Sequence, residues 1–341
     1  MKAYLLKKSG NPFVLCLQDV VEPRPGEDEV QVTLEYIGLN YAEILSRKGL
    51  YGWAPKRPYI PGMEGAGIIT RVGKGVDEQR LGQKVIVGTQ FGCYAQKVIV
   101  PANRILPAIT HYTMAENAAF PVNYMTAWVA LFEMARLRKD ETVLVTAAAG
   151  GVGSAAVQLS SRLGCKVIGL AGSEQKLQII RDWGAKAAFN YNKTDYDEKV
   201  KQFCGGVDVI LELIGGPIYR KNFQLMNPFG RIVIAGFASL DLKKWNPFSW
   251  YKTWRDIPRA SVIRLGMKSQ GVLATHLGYL LEEPDRMKRI FNELTDFVIN
   301  HQIKPHIGKV FPFGQLPQAH AFIESRKSIG KILIRTYPDE N

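Results

Sequence analysis

"VLVTAAAGGVGSAAVQ", residues 143–158, is the stretch on which the fold turns. An apolar run of strand type leads straight into Ala147-x-x-Gly150-x-x-Gly153, and a helix-forming stretch follows. Small residues let the backbone come close to a pyrophosphate, and a helix start offers free N–H groups and the positive end of its dipole. A glycine triplet alone is weak. Strand, turn and helix in this order are the context that a dinucleotide-binding turn requires. The expected contacts come from Ala149, Gly150, Gly151, Val152 and Gly153.

Downstream of this turn, strand and helix patterns alternate. "KVIGLAG", "VDVILELIG" and "GRIVIAGF" read as strands, and "SEQKLQIIRDWG" as a helix between them. Such alternation predicts βαβ units and a doubly wound parallel sheet. Upstream, residues 1–110 differ. "EVQVTLEYIGL", "GAGIITRV", "QKVIVGTQ" and "YAQKVIV" are short β-type runs separated by "PRPG", "VGKGVD" and "LGQK". They predict a mostly antiparallel β domain. From about residue 115, "TMAENAAFPVNYMTAWVALFEMARL" has helical spacing. The class is α/β, and 341 residues imply two domains.

The tip of the second strand reports on the cofactor. An NAD site usually carries an acid about twenty residues after the turn, for the ribose hydroxyls. Here the chain reads "GLAGSEQK", with Gly172 and Ser173 at the tip and Lys176 soon after. A carboxylate would repel a 2′-phosphate, whereas serine and lysine would bind it. Glu174 is expected to lie along the helix start, where an acid is favoured. Tyr191, in "AAFNYN", adds a hydroxyl after the next strand. The expectation is NADP(H).

Composition sets outer bounds. Hydrophobic residues make up 46% and charged residues 22%, as in ordinary globular chains. No apolar run reaches the roughly 18 residues of a membrane span. "MKAYLLKKSGNPFVL" lacks a secretory h-region. Cys16, Cys93, Cys165 and Cys204 are far apart and show no disulfide framework or metal spacing. A cytoplasmic setting is expected. The formal net charge of +13 suits anionic partners, but no nucleic-acid motif is present. One segment concentrates this charge. Residues 243–268 hold Lys243, Lys244, Lys252, Arg255, Arg259, Arg264 and Lys268 against Asp256 alone, a net +6, together with Trp245, Phe248, Trp250, Tyr251 and Trp254. Cations among aromatic side chains suit an acidic membrane surface; a lid or a dimer contact is the plainer reading.

"GLNYAEILSRKGLY", "PGMEGAG", "AAAGGVGSAAVQL", "GLAGSEQK" and "GRIVIAGF" together resemble the quinone oxidoreductase branch of the medium-chain dehydrogenase/reductase superfamily. "FPVNYMTAWVALFE", "THLGYL" and "IKPHIGKVFPFGQLPQAHAFIESRKSIGKILI" resemble most its subgroup of synaptic vesicle amine-transport protein homologues. The resemblance implies a GroES-like β domain from 1–122 and 271–341, a Rossmann domain over 123–270, a cofactor in the cleft and a homodimer. Zinc-dependent relatives place Cys where this chain has Asn40 and His where it has Met63. Amide and thioether are poor zinc ligands, so zinc-independent chemistry is expected.

Hydride transfer from NADPH to a quinone or an enone needs no Lewis acid. It needs orientation, a dry site and a hydrogen-bond donor. The resemblance implies Tyr51 as the donor, with Asn40 orienting the nicotinamide ribose or the acceptor. It implies Glu43 and Arg47 in the same loop, paired with the substrate or with each other. The resemblance also places Thr126 at the nicotinamide. Gly215, Gly216, Gly236 and Phe237 end parallel strands, where ligands bind. The resemblance further implies that Thr275, His276, Leu277, Gly330 and Lys331 lie on the cofactor side. Two alternatives share these residues. One is a peripheral membrane lipid-binding or adaptor protein with a structural or regulatory NADP site. The other is an enoyl-thioester or alkenal reductase.

Overall fold

Glu29–Leu39 forms an eleven-residue strand because its β-branched and aromatic residues pack against cross-strand neighbours. The computed structural model describes residues 1–193, 195–238, 247–257 and 259–337, with the backbone alone at Pro247, Trp250 and Lys252. The chain divides into two units. The first comprises Met1–Met125 and Gly278–Asn341, the second Thr126–Leu277.

In the first unit, Glu29–Leu39 pairs antiparallel with Glu64–Val72, Lys97–Pro101 and Lys331–Arg335. Lys84–Gly88 and Leu106–Pro107 extend the sheet on one side, and Ile307–Pro312 on the other. Both ends of the chain share one core. Val30, Val32, Leu34 and Ile37 pack in the same cluster as Phe311, Leu316, Ile332 and Ile334. Gly38 has a specific purpose in this sheet. A Cβ there would lie 2.7 Å from Glu64 Oε1 and 2.8 Å from the Ala118 carbonyl oxygen, so glycine leaves room for a buried carboxylate.

The second unit is a six-stranded, all-parallel sheet. Its order is Ala187–Asn190, Lys166–Ala171, Thr142–Val145, Val207–Glu212, Met226–Ile234 and Gly271–Ala274. The order reverses beside Thr142–Val145, which makes the carboxyl end of that strand the switch point where such sheets bind ligands. Leu144, Ile168, Leu170, Ile210 and Ile232 form its buried core.

The borders differ from those read in the sequence. Gly271–Ala274 hydrogen-bonds in parallel to Arg231–Ile234, so it belongs to the second unit rather than to a segment starting at 271. The first border falls at 125/126 rather than 122/123, inside the helix Pro121–Trp128. Within the basic Trp-rich segment, Lys243, Lys244 and Trp245 lie outside the described residues. Among its described residues, Pro247–Asp256 and Val262–Gly266 form helices. No helix of the described residues is long and apolar enough to cross a membrane.

Candidate functional site

In the second unit, the buried strand Thr142–Val145 runs into a tight turn and then into the helix Gly151–Leu163. The Gly150 N–H donates to the Ala147 carbonyl at 2.8 Å, and Ala147 sits at φ 47° in the left-handed region. A non-glycine residue accepts about 1–2 kcal/mol of strain there. Gly153 has no such choice, because a Cβ on it would lie 2.7 Å from Ala148 Cα. The helix start has no side-chain cap and no acid in its first turn. Its first N–H groups, at Gly151, Val152 and Gly153, are therefore suited to an anion. Ala149 is buried beneath the turn. This cradle fits a pyrophosphate.

The neighbouring strand Lys166–Ala171 ends on Gly172 and Ser173. A Cβ at Gly172 would lie 2.7 Å from the Tyr191 hydroxyl, so glycine is what lets that phenol settle against the strand tip. The Tyr191 N–H donates to Ala171 O at 3.0 Å, and Asn192 Nδ2 to Gly172 O at 2.8 Å, fixing the two strand ends together. Glu174 opens the short helix Glu174–Lys176, as expected of an acid there. Its carboxylate accepts from Asn190 Nδ2 and pairs with Lys193 Nζ, both at 3.1 Å. The hydrogen bond from Lys193 holds its pKa below the usual value, so it stays anionic and turned toward 190–193. Lys176 is half-buried, and burial lowers its pKa. Serine, lysine and phenol with no acid at the strand tip fit a 2′-phosphate.

The other expected cofactor residues of this unit lie on its loops and border. Gly215 and Gly216 form a turn with φ 84° and 62° after Val207–Glu212. Gly236 packs so closely on Leu213 that a Cβ would be 3.1 Å from its carbonyl oxygen. Phe237 is exposed and Thr126 is buried. The Thr275 N–H donates to Ile234 O at 3.0 Å, ahead of His276 and Leu277. Burial lowers the His276 pKa, which keeps the ring neutral. Two residues that the sequence reading passed over, Thr146 and Glu212, join these loops by side-chain hydrogen bonds.

The first unit holds a buried polar cluster. Asn40 caps the helix Tyr41–Lys48, and its N–H donates to Glu43 Oε2 at 2.7 Å. Glu43 Oε1 accepts the Met63 N–H at 3.1 Å and Asn40 Nδ2 at 3.4 Å. The same Asn40 nitrogen donates to Glu64 Oε1 at 2.7 Å. Lys331 Nζ donates to Asn40 Oδ1 at 2.7 Å and to Asn123 Oδ1 at 3.5 Å, and forms an ion pair with Glu64. Glu64 Oε2 accepts the Val122 N–H at 2.8 Å. All five side chains are buried. Burial pushes the Glu43 carboxyl up to about 7; Lys331 pulls it down and Glu64 pushes it up.

Four sequence expectations are corrected here. Lys331 spends its three N–H bonds inside the protein and has none for a cofactor. Both amide protons of Asn40 go to carboxylates, so it is a structural hub rather than a donor to substrate. Glu43 turns back onto the helix N-terminus, where an acid is favoured, and is not a substrate contact. Arg47, one turn later, donates to Gly10 O and pairs with Glu324 at 2.5 Å, neither meeting Glu43 nor facing solvent. Glu64 and Asn123, by contrast, went unnoticed, although an acid inside the glycine-rich "PGMEGAG" was the available signal.

Tyr51 stays a candidate donor. It follows the helix end at Gly49 and meets Trp53 edge-on at 6.4 Å. Burial, then Glu43 and Tyr279, raise its pKa above the ordinary phenol range, so the hydroxyl keeps its proton.

Comparison with known proteins bears on this architecture. The profile of the alcohol dehydrogenase GroES-like domain matches residues 26–110, and that of the zinc-binding dehydrogenases matches 151–273. The chain is 34% identical over 322 residues to the rat (Rattus norvegicus) synaptic vesicle membrane protein VAT-1 homolog, covering 94% of this chain and 80% of that protein. The chain belongs to the medium-chain dehydrogenase/reductase superfamily. Among its superfamily relatives is the quinone oxidoreductase of Rattus norvegicus, 32% identical over 340 residues, with 98% of this chain and 97% of that one covered. The crystal structure of Escherichia coli quinone oxidoreductase complexed with NADPH superposes with a TM-score of 0.87 at 27% identity, covering 98% of this chain and 100% of that one. One matching profile of this superfamily is named for zinc, and the residues here do not suit that ion. Asn40 offers an amide and Met63 a thioether, while the Glu64 carboxylate is engaged by an ammonium. Among the described residues, no three His, Cys, Asp or Glu side chains come together to hold a metal.

Proposed function

We propose that this protein is an NADPH-dependent oxidoreductase that passes hydride to a quinone or a related activated carbonyl or alkene, without zinc. The observation that carries the reading is the tip of Lys166–Ala171. It holds no acid, it sets the Tyr191 hydroxyl against Gly172, and the carboxylate that follows, Glu174, is paired with Lys193. The NADPH complex of the Escherichia coli relative supports the same cofactor.

In this reading the uncapped helix start at 151–153 binds the pyrophosphate, and Ser173, Lys176 and Tyr191 bind the 2′-phosphate. The bound cofactor supplies hydride from its reduced nicotinamide. Tyr51 holds the proton that the acceptor oxygen needs as negative charge develops on it. The Lys331–Glu64–Asn40–Glu43 cluster keeps the helix Tyr41–Lys48, and hence the loop carrying Tyr51, in place.

The test is oxidation of NADPH against naphthoquinone and phenanthrenequinone, with enoyl-thioesters and alkenals in parallel. Turnover of quinones alone supports the reading; turnover confined to thioesters or alkenals moves the substrate class. Tyr51→Phe is expected to lower kcat by about 10²- to 10⁴-fold with NADPH affinity unchanged. A variant with the parent's kcat would remove Tyr51 from the chemistry.

One observation favours membrane attachment as a second reading. The helix Pro247–Asp256 buries Thr253 and Asp256 but leaves Phe248, Tyr251 and Trp254 84%, 62% and 56% exposed. Val262, Ile263 and Met267 are more than four-fifths exposed, and the Arg259 guanidinium lies 4.0 Å over the Trp254 ring. Outward aromatic and aliphatic side chains among cations suit an acidic bilayer surface. Sedimentation with phosphatidylserine vesicles is expected to carry the protein down at low salt, and progressively less as salt rises. Phe248→Ser/Trp254→Ala should abolish this. Equal sedimentation of parent and variant would refute the surface.

A further inference from the structure

Three strand ends that carry candidate cofactor contacts are tied together at one acidic residue, two of them by its side chain. Glu212 closes the strand Val207–Glu212 and is fully buried. Its Oε1 accepts the N–H groups of Ile214 at 2.8 Å and Gly215 at 2.9 Å, and the Thr146 hydroxyl at 3.3 Å. Its Oε2 accepts Asn222 Nδ2 at 3.1 Å, and Asn222 Oδ1 accepts the Tyr196 hydroxyl at 3.1 Å. Its main-chain carbonyl accepts the Ala235 N–H at 2.9 Å, next to Gly236. Thr146, the residue before the glycine-rich turn, takes the Leu213 N–H on its hydroxyl at 2.7 Å.

This arrangement is a poor bargain for stability alone. A buried carboxylate without a cation is costly, and an apolar side chain of similar size is usually tolerated better. Burial raises the pKa of Glu212 while its four donors lower it, and no cation is among the causes. What the carboxylate secures is geometry. Gly215 and Gly216 both have positive φ, and successive glycines hold no conformation of their own. Two N–H groups of that turn end on a single Glu212 oxygen.

Strand order fixes which part of the cofactor this concerns. Ser173 follows the strand on one side of Thr142–Val145, and Glu212 ends the strand on the other. A dinucleotide whose pyrophosphate lies on the central turn and whose 2′-phosphate lies at Ser173 therefore extends its nicotinamide half toward Gly215 and Gly236. We infer that Glu212 is a positioning residue for the proposed reaction, locking the Gly215–Gly216 turn in register with the glycine-rich turn so that the nicotinamide half is held for hydride transfer. This rests on the NADPH reading above.

The test uses the full chain, Glu212→Asp and Glu212→Gln, and two ligands. Adenosine 2′,5′-bisphosphate probes only the Ser173 end, and NADPH probes both. Aspartate is one methylene too short to reach both turn amides; glutamine keeps one oxygen for them. Glu212→Asp is expected to weaken NADPH about tenfold or more, the cost of a lost charge-assisted hydrogen bond, and to leave the bisphosphate within about twofold. Hydrogen exchange at Ile214 and Gly215 should quicken in the same variant, and Glu212→Gln should recover part of both effects. Parallel loss of both ligands would reduce Glu212 to a general structural residue. Unchanged NADPH affinity, or unchanged exchange at the turn, would also overturn the inference. A parent chain that binds neither ligand would overturn the cofactor reading itself, and the positioning role with it.

Discussion

Replacing Lys331 with methionine is expected to destabilise the first unit by about 3–5 kcal/mol, the usual cost of removing one partner of a buried ion pair. Lys331 is the cation paired with Glu64, and it also holds Asn40 Oδ1. Without it the buried Glu64 loses its ion-pair partner, and Glu43 lies nearby. The loss depends on pH, and its sign follows from Glu43. The Glu43 carboxyl is raised from 4.5 to about 7 in the folded protein. Its proton stabilises the fold, so the contribution is complete below about 4.5 and is lost as pH rises through about 7. Lys331 lowers that value, so the variant must raise it further and extend the loss to higher pH. The gap between parent and variant is therefore wider at pH 8 than at pH 5.5. Hydrogen exchange of the amides along Glu29–Leu39 reads the first unit alone. A gap below about 1 kcal/mol, or one that is the same at both pH values, would contradict this account of the cluster.

The second large effect concerns cofactor choice. Lys176→Ala is expected to weaken NADPH by about 10- to 150-fold, corresponding to one charge-assisted hydrogen bond of about 1.5–3 kcal/mol, while NADH changes by less than about twofold. The Lys176 ammonium is half-withdrawn from water, which lowers its pKa; a phosphate dianion would compensate that burial. Ser173→Asp should go further and invert the preference, since it restores the carboxylate that accepts ribose hydroxyls. Titration of both nucleotides by fluorescence measures each case. Equal loss of NADPH and NADH in Lys176→Ala would make the lysine structural. No loss of either would mean that the 2′-phosphate, if bound, is held by other groups.

The sequence made the second unit legible because its signals are local. An apolar strand, a turn of small residues and a helix start lie within 143–158, and the acid missing from the next strand tip needs only a count along the chain. The first unit was harder. Its polar cluster joins Asn40, Glu43, Glu64, Asn123 and Lys331, whose partners lie up to 291 residues apart. No periodicity reports such a contact. Asn40 and Lys331 were read as ligand-facing groups from the family resemblance, which carries no information on what each side chain is buried against. Burial reversed their roles. Glu43 and Arg47 stand at a helical spacing that favours an ion pair, yet each found a nearer partner elsewhere, Glu43 at the helix N-terminus and Arg47 at Glu324. Gly172 was read as a strand tip. That it makes space for Tyr191 depends on a strand pairing that spacing alone does not give.

The strand Lys331–Arg335 lies between Glu29–Leu39 and Ile307–Pro312, and its lysine is the counter-charge of that cluster. During synthesis these partners leave the ribosome in a fixed order. Residues 126–277 form one contiguous unit and can close while the chain is still growing. The earlier strands must wait for a later one, and Glu64 waits for its cation until Lys331 emerges. The usual vectorial order is thereby inverted: the half that is translated first is the half that is finished last.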